Sequence, residues 1–215
     1  MPIVKRAVHN GTLGHLWFVP NGYEENKDTT WPLILFLHGI KRRGEDLSML
    51  EGYGLTGLAV RQDDFPFAVV APQCPSNSFW PQERSKVIAL LDHTVSSLRI
   101  DSARVYVTGF SMGGNGAWDL AAHAPDRFAA VVPLSGWYDP KEAKVFERMP
   151  VWAFHGVEDD VVPYKHSEEM VNAIKEKGGR SLLTPLPGYK HQIMDEVYRR
   201  PDLFEWLLSH RIGTN

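Results

Sequence analysis

The chain of 215 residues has one cysteine, Cys74, so it cannot form an internal disulfide. Its fold therefore does not require an oxidising compartment. No stretch approaches the roughly 18 consecutive apolar residues of a membrane-spanning helix. Residues 1–10 are too polar for the apolar region of a signal peptide. From these features we expect a cytoplasmic protein.

The chain also has no excess of positive charge. Its 23 Lys and Arg residues are balanced by 26 Asp and Glu residues, which gives a formal net charge of -3. Few basic groups are then free to neutralise phosphates, so we expect no nucleic-acid partner. Its cysteine, histidine and acidic residues show no spacing typical of a metal site, and we expect neither a metal ion nor another cofactor.

Apolar residues are plentiful enough for a sizeable core, since they make up 43% of the chain. The length suits one alternating α/β domain over residues 1–215. The expected partner is a small neutral or mildly charged molecule. The sequence leaves open whether the protein is a monomer or a homodimer.

Short apolar runs alternate with helix-like stretches, a pattern typical of a mostly parallel sheet with helices on both faces. We predict eight strands, at residues 3–8, 14–19, 33–37, 68–71, 105–107, 130–134, 151–154 and 181–184. The first two, joined by a turn at Asn10 and Gly11, predict an antiparallel hairpin. Apolar residues at helical spacing predict helices at residues 83–98, 165–177 and 203–210. Only about 16 residues, 135–150, separate the sixth strand from the seventh, which leaves no room for a large lid domain.

The sequence Gly109-Phe-Ser-Met-Gly113 has the pattern G-x-S-x-G. It follows the β-branched apolar run 104–108 and precedes a helix-forming stretch, 115–122. A strand, a sharp turn and a helix in this order are typical of a nucleophile elbow, where flanking glycines avoid collisions of a Cβ with nearby backbone. We therefore predict that Ser111 is a nucleophile. The alternative is a glycine-rich turn required only for packing.

A serine hydroxyl is a weak nucleophile at neutral pH, so Ser111 needs a base and an acid that orients this base. Asp159 lies in an acidic turn after the seventh predicted strand, and His191 lies in a glycine-containing loop after the eighth. The order Ser, Asp, His is the one found in α/β-hydrolases. We predict His191 as the base and Asp159 as the acid, with Asp160 and then Glu158 as alternatives for the acid.

Negative charge that develops on a substrate carbonyl oxygen needs donors aimed at it in advance. We expect one donor to be the backbone N–H of Met112, directly after the nucleophile. The second is expected in the turn after the third strand, where the chain leaves the sheet at His38 and Gly39. We assign this donor to the N–H of Ile40.

Five segments together resemble the motifs of the α/β-hydrolase superfamily: residues 37–44, 109–114, 125–130, 155–159 and 188–191. The resemblance is greatest to the small phospholipase/carboxylesterase and dienelactone-hydrolase-like group, including esterases related to polyhydroxybutyrate depolymerases. It implies an α/β-hydrolase fold and hydrolysis of carboxylic esters, with His38 and Gly39 shaping the oxyanion loop. Dienelactone hydrolases carry a cysteine at the elbow, where this chain has Ser111, so simple ester hydrolysis is favoured.

The chain departs from this group after the His-Gly pair, where members often have a second glycine or an acidic residue. Here the sequence is Ile40-Lys-Arg-Arg43, and its basic residues are interpreted either as an attraction for an acidic substrate or as solvated surface charge. Trp80 and Trp137, near predicted loop tips, are predicted to line a substrate pocket, with packing as the alternative.

We therefore predict a serine hydrolase that cleaves esters of short to medium acyl chains through an acyl-enzyme intermediate. A small-molecule ester is its expected partner. A thioesterase, a sugar-ester deacetylase or a peptidase would use the same chemistry, and these alternatives stay open. A less favoured alternative is a protein of this fold that binds its ligand without turnover.

Overall fold

The computed structural model describes the backbone of residues 3–7 and the backbone and side chains of residues 11–213. Within these residues eight strands form one sheet, in the order β1-β2-β4-β3-β5-β6-β7-β8. The strands are β1 Ile3–Ala7, β2 His15–Val19, β3 Trp31–Leu37, β4 Ala68–Pro72, β5 Ile100–Phe110, β6 Ala130–Leu134, β7 Val151–Gly156 and β8 Ser181–Leu186. Strand β2 pairs antiparallel with β1 and β4, and the other pairs are parallel. The predicted eight-stranded, mostly parallel sheet is confirmed, although Asn10 of the predicted hairpin turn lies outside the described residues.

Six α-helices lie within the described part of the chain, four of them between strands and two after β8. They are α1 Leu55–Arg61, α2 Arg84–Ser97, α3 Met112–His123, α4 Lys165–Glu176, α5 Met194–Tyr198 and α6 Pro201–Leu208. Stretches of 3-10 helix, three to eight residues long, are formed by Ile40–Arg42, Leu47–Leu50, Trp80–Gln82, Pro125–Arg127 and Pro140–Glu147. The helices predicted at 83–98, 165–177 and 203–210 are α2, α4 and α6. Helices α1 and α5, of seven and five residues, are too short to show an apolar repeat in the sequence.

Alternating residues of β3 divide the core into two layers. Leu33, Leu35 and Leu37 pack in a cluster with apolar residues of α2, α3 and α4. Ile34 and Phe36 point to the opposite face and pack with residues of α1, α5 and α6. Successive side chains of a strand project to opposite faces, so a strand covered by helices on both faces is apolar throughout. This explains the continuous apolar run of β3 and confirms the helices predicted on both faces.

The connection between β6 and β7, residues 135–150, contains the 3-10 helix Pro140–Glu147. Its Phe146 is fully buried and packs edge-on against Trp118 of α3, with ring centroids 5.1 Å apart. The connection therefore packs on the layer formed by α3 and α4. Among the residues that the structure describes, none of the helices is long and apolar enough to cross a bilayer.

Candidate active site

The turn between β5 and α3 holds Ser111 in a strained conformation. Its φ is 57° and its ψ is -117°, and a positive φ is uncommon for a residue other than glycine. The Ser111 N–H donates to the Leu134 carbonyl at 2.9 Å. A Cβ at Gly113 would lie 1.9 Å from the Leu37 oxygen, and one at Gly109 would lie 2.2 Å from the Gly113 oxygen. Both glycines of the motif are therefore required by close backbone contacts.

Ser111, His191 and Asp159 lie in one hydrogen-bonded line, although they come from loops after β5, β8 and β7. The distance from Ser111 Oγ to His191 Nε2 is 2.8 Å, and the distance from His191 Nδ1 to Asp159 Oδ2 is also 2.8 Å. A carboxylate only accepts, so Nδ1 carries the proton and Nε2 accepts from the serine hydroxyl. This is the tautomer that a general base next to a serine needs.

Asp159 is held by donors on both oxygens. Its Oδ1 accepts from the N–H groups of Val161 and Val162, each at 2.9 Å. Burial alone would raise the pKa of the Asp159 carboxyl, but the hydrogen bonds from His191 and these two amides outweigh it, and the pKa lies below its ordinary value. Asp160, an alternative in the sequence, instead bonds Lys190 Nζ at 3.0 Å. Of these two neighbouring acids, Asp159 is therefore the one that contacts His191.

A buried histidine, His155 at the end of β7, also contacts Asp159. Its Nε2 lies 2.9 Å from the Val162 carbonyl oxygen and 3.2 Å from Asp159 Oδ2, so this nitrogen is the donor. Its Nδ1 accepts from the Ser167 hydroxyl at 2.7 Å. Burial lowers the pKa of His155, which favours the neutral ring. His155 thus helps to position Asp159, a role that its place at a strand end did not reveal.

The loop of His191 is fastened to the sheet by Ser135, which follows β6. Ser135 is the second described residue other than glycine with a positive φ, 44°. Its hydroxyl donates to the His191 carbonyl oxygen at 3.2 Å. The Phe110 ring packs on the His191 ring with centroids 4.8 Å apart. No sequence pattern indicated Ser135, because its contact spans 56 residues of chain.

The two amides expected to stabilise an oxyanion each open a helix. Met112 is the first residue of α3, and Ile40 is the first residue of the 3-10 helix Ile40–Arg42. The first N–H groups of a helix have no acceptor within the helix, so they are free to bind an anion. Leu37 at the end of β3 pairs with Gly109 of β5, which brings both helix starts to the same sheet edge.

The loop of Gly39 and Ile40, where the second oxyanion donor is expected, is supported from beneath by His38. Its Nδ1–H donates to the Gly39 oxygen at 2.8 Å, and its Nε2 accepts from the Cys74 N–H at 3.0 Å. Only the neutral ring can make both bonds, and burial lowers the pKa of His38 to about 4. The Cys74 side chain is fully buried, and burial raises the pKa of its thiol to about 12.

Trp80 does not line the pocket, and this part of the prediction was wrong. The side chain is fully buried, and its Nε1–H donates to the His38 oxygen at 3.0 Å. A Cβ at Gly116 of α3 would lie 2.6 Å from Trp80 Cβ, which shows how closely the residue packs on that helix. Trp80 therefore holds the loop at His38 and Gly39 through this hydrogen bond.

Trp137 is 37% exposed but lies outside the group of residues that line the cleft at Ser111. Its carbonyl oxygen accepts from Asn115 Nδ2 at 2.9 Å. The structure therefore places Trp137 beside the first turn of α3 without bringing it to the wall of this cleft.

A cleft of about 530 Å³ opens beside Ser111. It is lined by Gly39, Ile40, Lys41, Arg42, Tyr53, Phe110, Ser111, Asp160, Val161, Lys190, His191 and Gln192. The volume lies within the range of small-molecule sites. Among the described residues, no three His, Cys, Asp or Glu side chains lie close enough together to hold a metal ion.

Residues 65–200 match the family model described as phospholipase/carboxylesterase. The chain belongs to this family. Like other proteins of the phospholipase/carboxylesterase family, it has the α/β-hydrolase fold. A solved structure described as a thermostable esterase superimposes with a TM-score of 0.81 at 27% identity, covering 98% of this chain and 63% of the other.

The names of curated relatives of this family member include enzymatic activities, as two examples show. A bifunctional acetylxylan esterase/xylanase of Neocallimastix patriciarum is 30% identical over 142 residues, which are 64% of this chain and 20% of that protein. A probable feruloyl esterase C of Aspergillus terreus is 28% identical over 169 residues, which are 75% of this chain and 60% of that protein. The chain thus spans less than two thirds of the length of either relative.

Proposed function

We propose that the protein is a serine esterase in which Ser111 is the nucleophile, His191 the general base and Asp159 the orienting acid. The observation that carries the proposal is the continuous line of two 2.8 Å hydrogen bonds from Ser111 to Asp159. Family membership adds support, because the family model is described as phospholipase/carboxylesterase. No cofactor takes part in the proposed reaction.

In the proposed reaction the Ser111 oxygen attacks the ester carbonyl carbon while His191 Nε2 takes the hydroxyl proton. The carbonyl oxygen becomes an oxyanion, which accepts hydrogen bonds from the N–H groups of Ile40 and Met112. His191 then gives the proton to the leaving alcohol, and an acyl-enzyme remains. Water, activated by His191 in the same way, releases the acid and restores Ser111.

We further propose that the enzyme prefers esters of short to medium acyl chains. The cleft of about 530 Å³ and the packing of residues 135–150 on the α3 and α4 layer support this preference. A series of p-nitrophenyl esters tests it through kcat/KM for each chain length. The value should fall for long chains, and a maximum at long chains would contradict the proposal.

Labelling with a fluorophosphonate probe tests the nucleophile directly. The wild type should be modified, and Ser111→Ala should be neither modified nor active, with kcat/KM reduced roughly 10⁴-fold or more. Ser102→Ala, which removes an exposed hydroxyl from β5, is the matched control and should behave like the wild type. Equal ester hydrolysis by Ser111→Ala would refute the serine mechanism.

A second candidate within the same chemistry is the deacylation of carbohydrate esters. The names of the two curated relatives, an acetylxylan esterase/xylanase and a probable feruloyl esterase, favour it. Release of acetate from acetylated xylan, compared between wild type and Ser111→Ala, measures this activity. A thioesterase or a peptidase would use the same residues and is tested with thioester and peptide substrates.

A cytoplasmic location stays a prediction from composition, which cell fractionation can test. Monomer and homodimer both stay open, and light scattering on the purified protein distinguishes them.

A further inference from the structure

Positive charge dominates the rim of the cleft beside Ser111. The residues that line it include three cations and one carboxylate: Lys41, Arg42, Lys190 and Asp160. Lys190 Nζ and Asp160 Oδ2 form a salt bridge of 3.0 Å, so their charges largely cancel. The charges of Lys41 and Arg42 remain without a carboxylate partner among the residues that line the cleft.

Arg42 is held in place rather than freely solvated. Its guanidinium carbon lies 4.6 Å from the centroid of the Tyr53 ring, a cation–π contact. Its carbonyl oxygen accepts from Gln73 Nε2 at 3.0 Å. Gln73 Nε2 also donates to the backbone carbonyl oxygen of Asp46 at 3.0 Å, and the two bonds fix the backbone of the loop. The Arg42 Nε–H is buried and has no acceptor among the described residues. A buried donor without a partner is uncommon and calls for an explanation.

The neighbouring Arg43 is engaged elsewhere. Its Nη1 donates to the Ser78 oxygen at 3.0 Å, and its guanidinium carbon lies 4.8 Å from the centroid of the Phe79 ring. Arg43 does not line the cleft. Of the three consecutive basic residues, Lys41 and Arg42 therefore face the cleft, and Arg43 fastens the loop.

The rest of the cleft wall is largely apolar. Ile40 is 44% exposed and Val161 is 64% exposed, although both are aliphatic. Phe110 and Tyr53 add aromatic surface near the oxyanion loop, where a Cβ at Gly39 would lie 3.3 Å from Phe110 Cδ1 and 3.4 Å from the Tyr53 hydroxyl. An apolar wall with cations at its rim matches a ligand with an apolar body and an anionic end.

We propose that this cleft selects esters that carry a carboxylate, and that Arg42, assisted by Lys41, binds this carboxylate. The inference rests on the proposed esterase function and names the substrate class of that site. A guanidinium group binds a carboxylate through two parallel hydrogen bonds, and the half-buried position of Arg42 reduces screening by solvent.

Two further observations concern the electrostatic field at the cleft. Asp195 is an exposed acid whose charge reaches Tyr53, but it does not line the cleft. The charges of Arg42 and Arg43 contribute to lowering the pKa of His38, after the larger effect of burial.

Two matched pairs of esters test the proposal, because the carboxylate can be placed on either side of the ester bond. On the acyl side, mono-4-nitrophenyl glutarate is compared with its neutral methyl ester. On the alcohol side, 4-acetoxybenzoate is compared with 4-acetoxybenzamide. In at least one pair the wild type should prefer the anionic ester in kcat/KM by roughly 10- to 100-fold, the range of a charged hydrogen bond. This preference should shrink at 1 M salt, where charges are screened within about 3 Å.

Substitution of Arg42 identifies the residue responsible. Arg42→Gln should lower the ratio of anionic to neutral kcat/KM by about tenfold or more, whereas Arg61→Gln, an exposed arginine outside the cleft, should leave the ratio unchanged. Equal losses on both members of a pair would mean that Arg42 only supports the loop, and this would overturn the proposal. If Arg42→Gln fails to fold, Lys41→Gln and the salt dependence of the wild type decide, because each should lower the same ratio.

The outcomes separate the two proposals. A wild type that hydrolyses the neutral esters through Ser111 but shows no anionic preference in either pair refutes the carboxylate and leaves the esterase intact. A wild type that hydrolyses none of the four esters, and is not labelled by a fluorophosphonate, refutes the esterase and with it the inference.

Discussion

Acidification should destabilise the protein through His38. In the folded protein the pKa of this ring is about 4, because burial disfavours the charged form, whereas the ordinary value is 6.5. Between these two pH values the unfolded chain binds a proton at His38 and the folded chain does not. The free energy of unfolding therefore falls as the pH is lowered from 6.5 to about 4.

The size of this effect follows from the difference between the two pKa values. Each pKa unit corresponds to about 1.4 kcal/mol, so His38 accounts for a loss of roughly 3 kcal/mol over this pH interval. The structural cause is the burial of the ring. Protonation would also break the bond from the Cys74 N–H to His38 Nε2, because a protonated ring cannot accept it.

Urea unfolding of wild type and His38→Gln at a series of pH values measures the contribution. The wild type should lose about 3 kcal/mol more than the variant between pH 7 and pH 4, because other titrating groups, such as His155, contribute equally to both proteins. Titration of the His38 ring by NMR gives an independent value of its pKa. Parallel pH curves for the two proteins, or a ring that titrates near pH 6.5, would refute this account of His38.

Two further substitutions probe the proposed triad and the turn at Ser111. Asp159→Asn should reduce kcat/KM roughly 10³- to 10⁴-fold, because it disturbs the tautomer of His191. Glu158→Gln, at an exposed neighbour, should keep kcat/KM within about threefold of wild type. Comparable losses in the two variants would contradict the assignment of the acid. Gly113→Ala places a Cβ 1.9 Å from a backbone oxygen and should lower the free energy of unfolding by more than about 3 kcal/mol. Gly178→Ala meets no atom within 4 Å and, at a φ of +83°, should cost only about 1 kcal/mol; similar losses in urea unfolding would contradict the packing argument.

Much of the candidate site could be predicted from the sequence because its signals are local. Ser111 lies in a short motif between a strand and a helix, and Asp159 and His191 each follow a predicted strand. In a parallel sheet the carboxyl ends of the strands meet at one edge, so the order of these residues along the chain was informative. The structure places His191 within hydrogen-bonding distance of both Ser111 and Asp159.

Features that depend on the packing of distant loops could not be predicted. The exposure of an aromatic residue in a loop is set by what covers it, and Trp80 is covered by α3 at Gly116. The cleft itself combines Arg42, Tyr53 and Lys190, which lie far apart along the chain. Ser135 contacts the His191 carbonyl oxygen and His155 contacts Asp159 Oδ2, and no local pattern in the sequence indicates either contact.

The enclosed position of Cys74 has a practical consequence. With its side chain fully buried and the pKa of its thiol raised to about 12, this residue stays protonated at neutral pH and is shielded from maleimides. A cysteine introduced at an exposed position such as Ser102 would then be the single reactive thiol of the folded protein. A fluorophore or spin label can therefore be attached at a chosen site without first replacing Cys74.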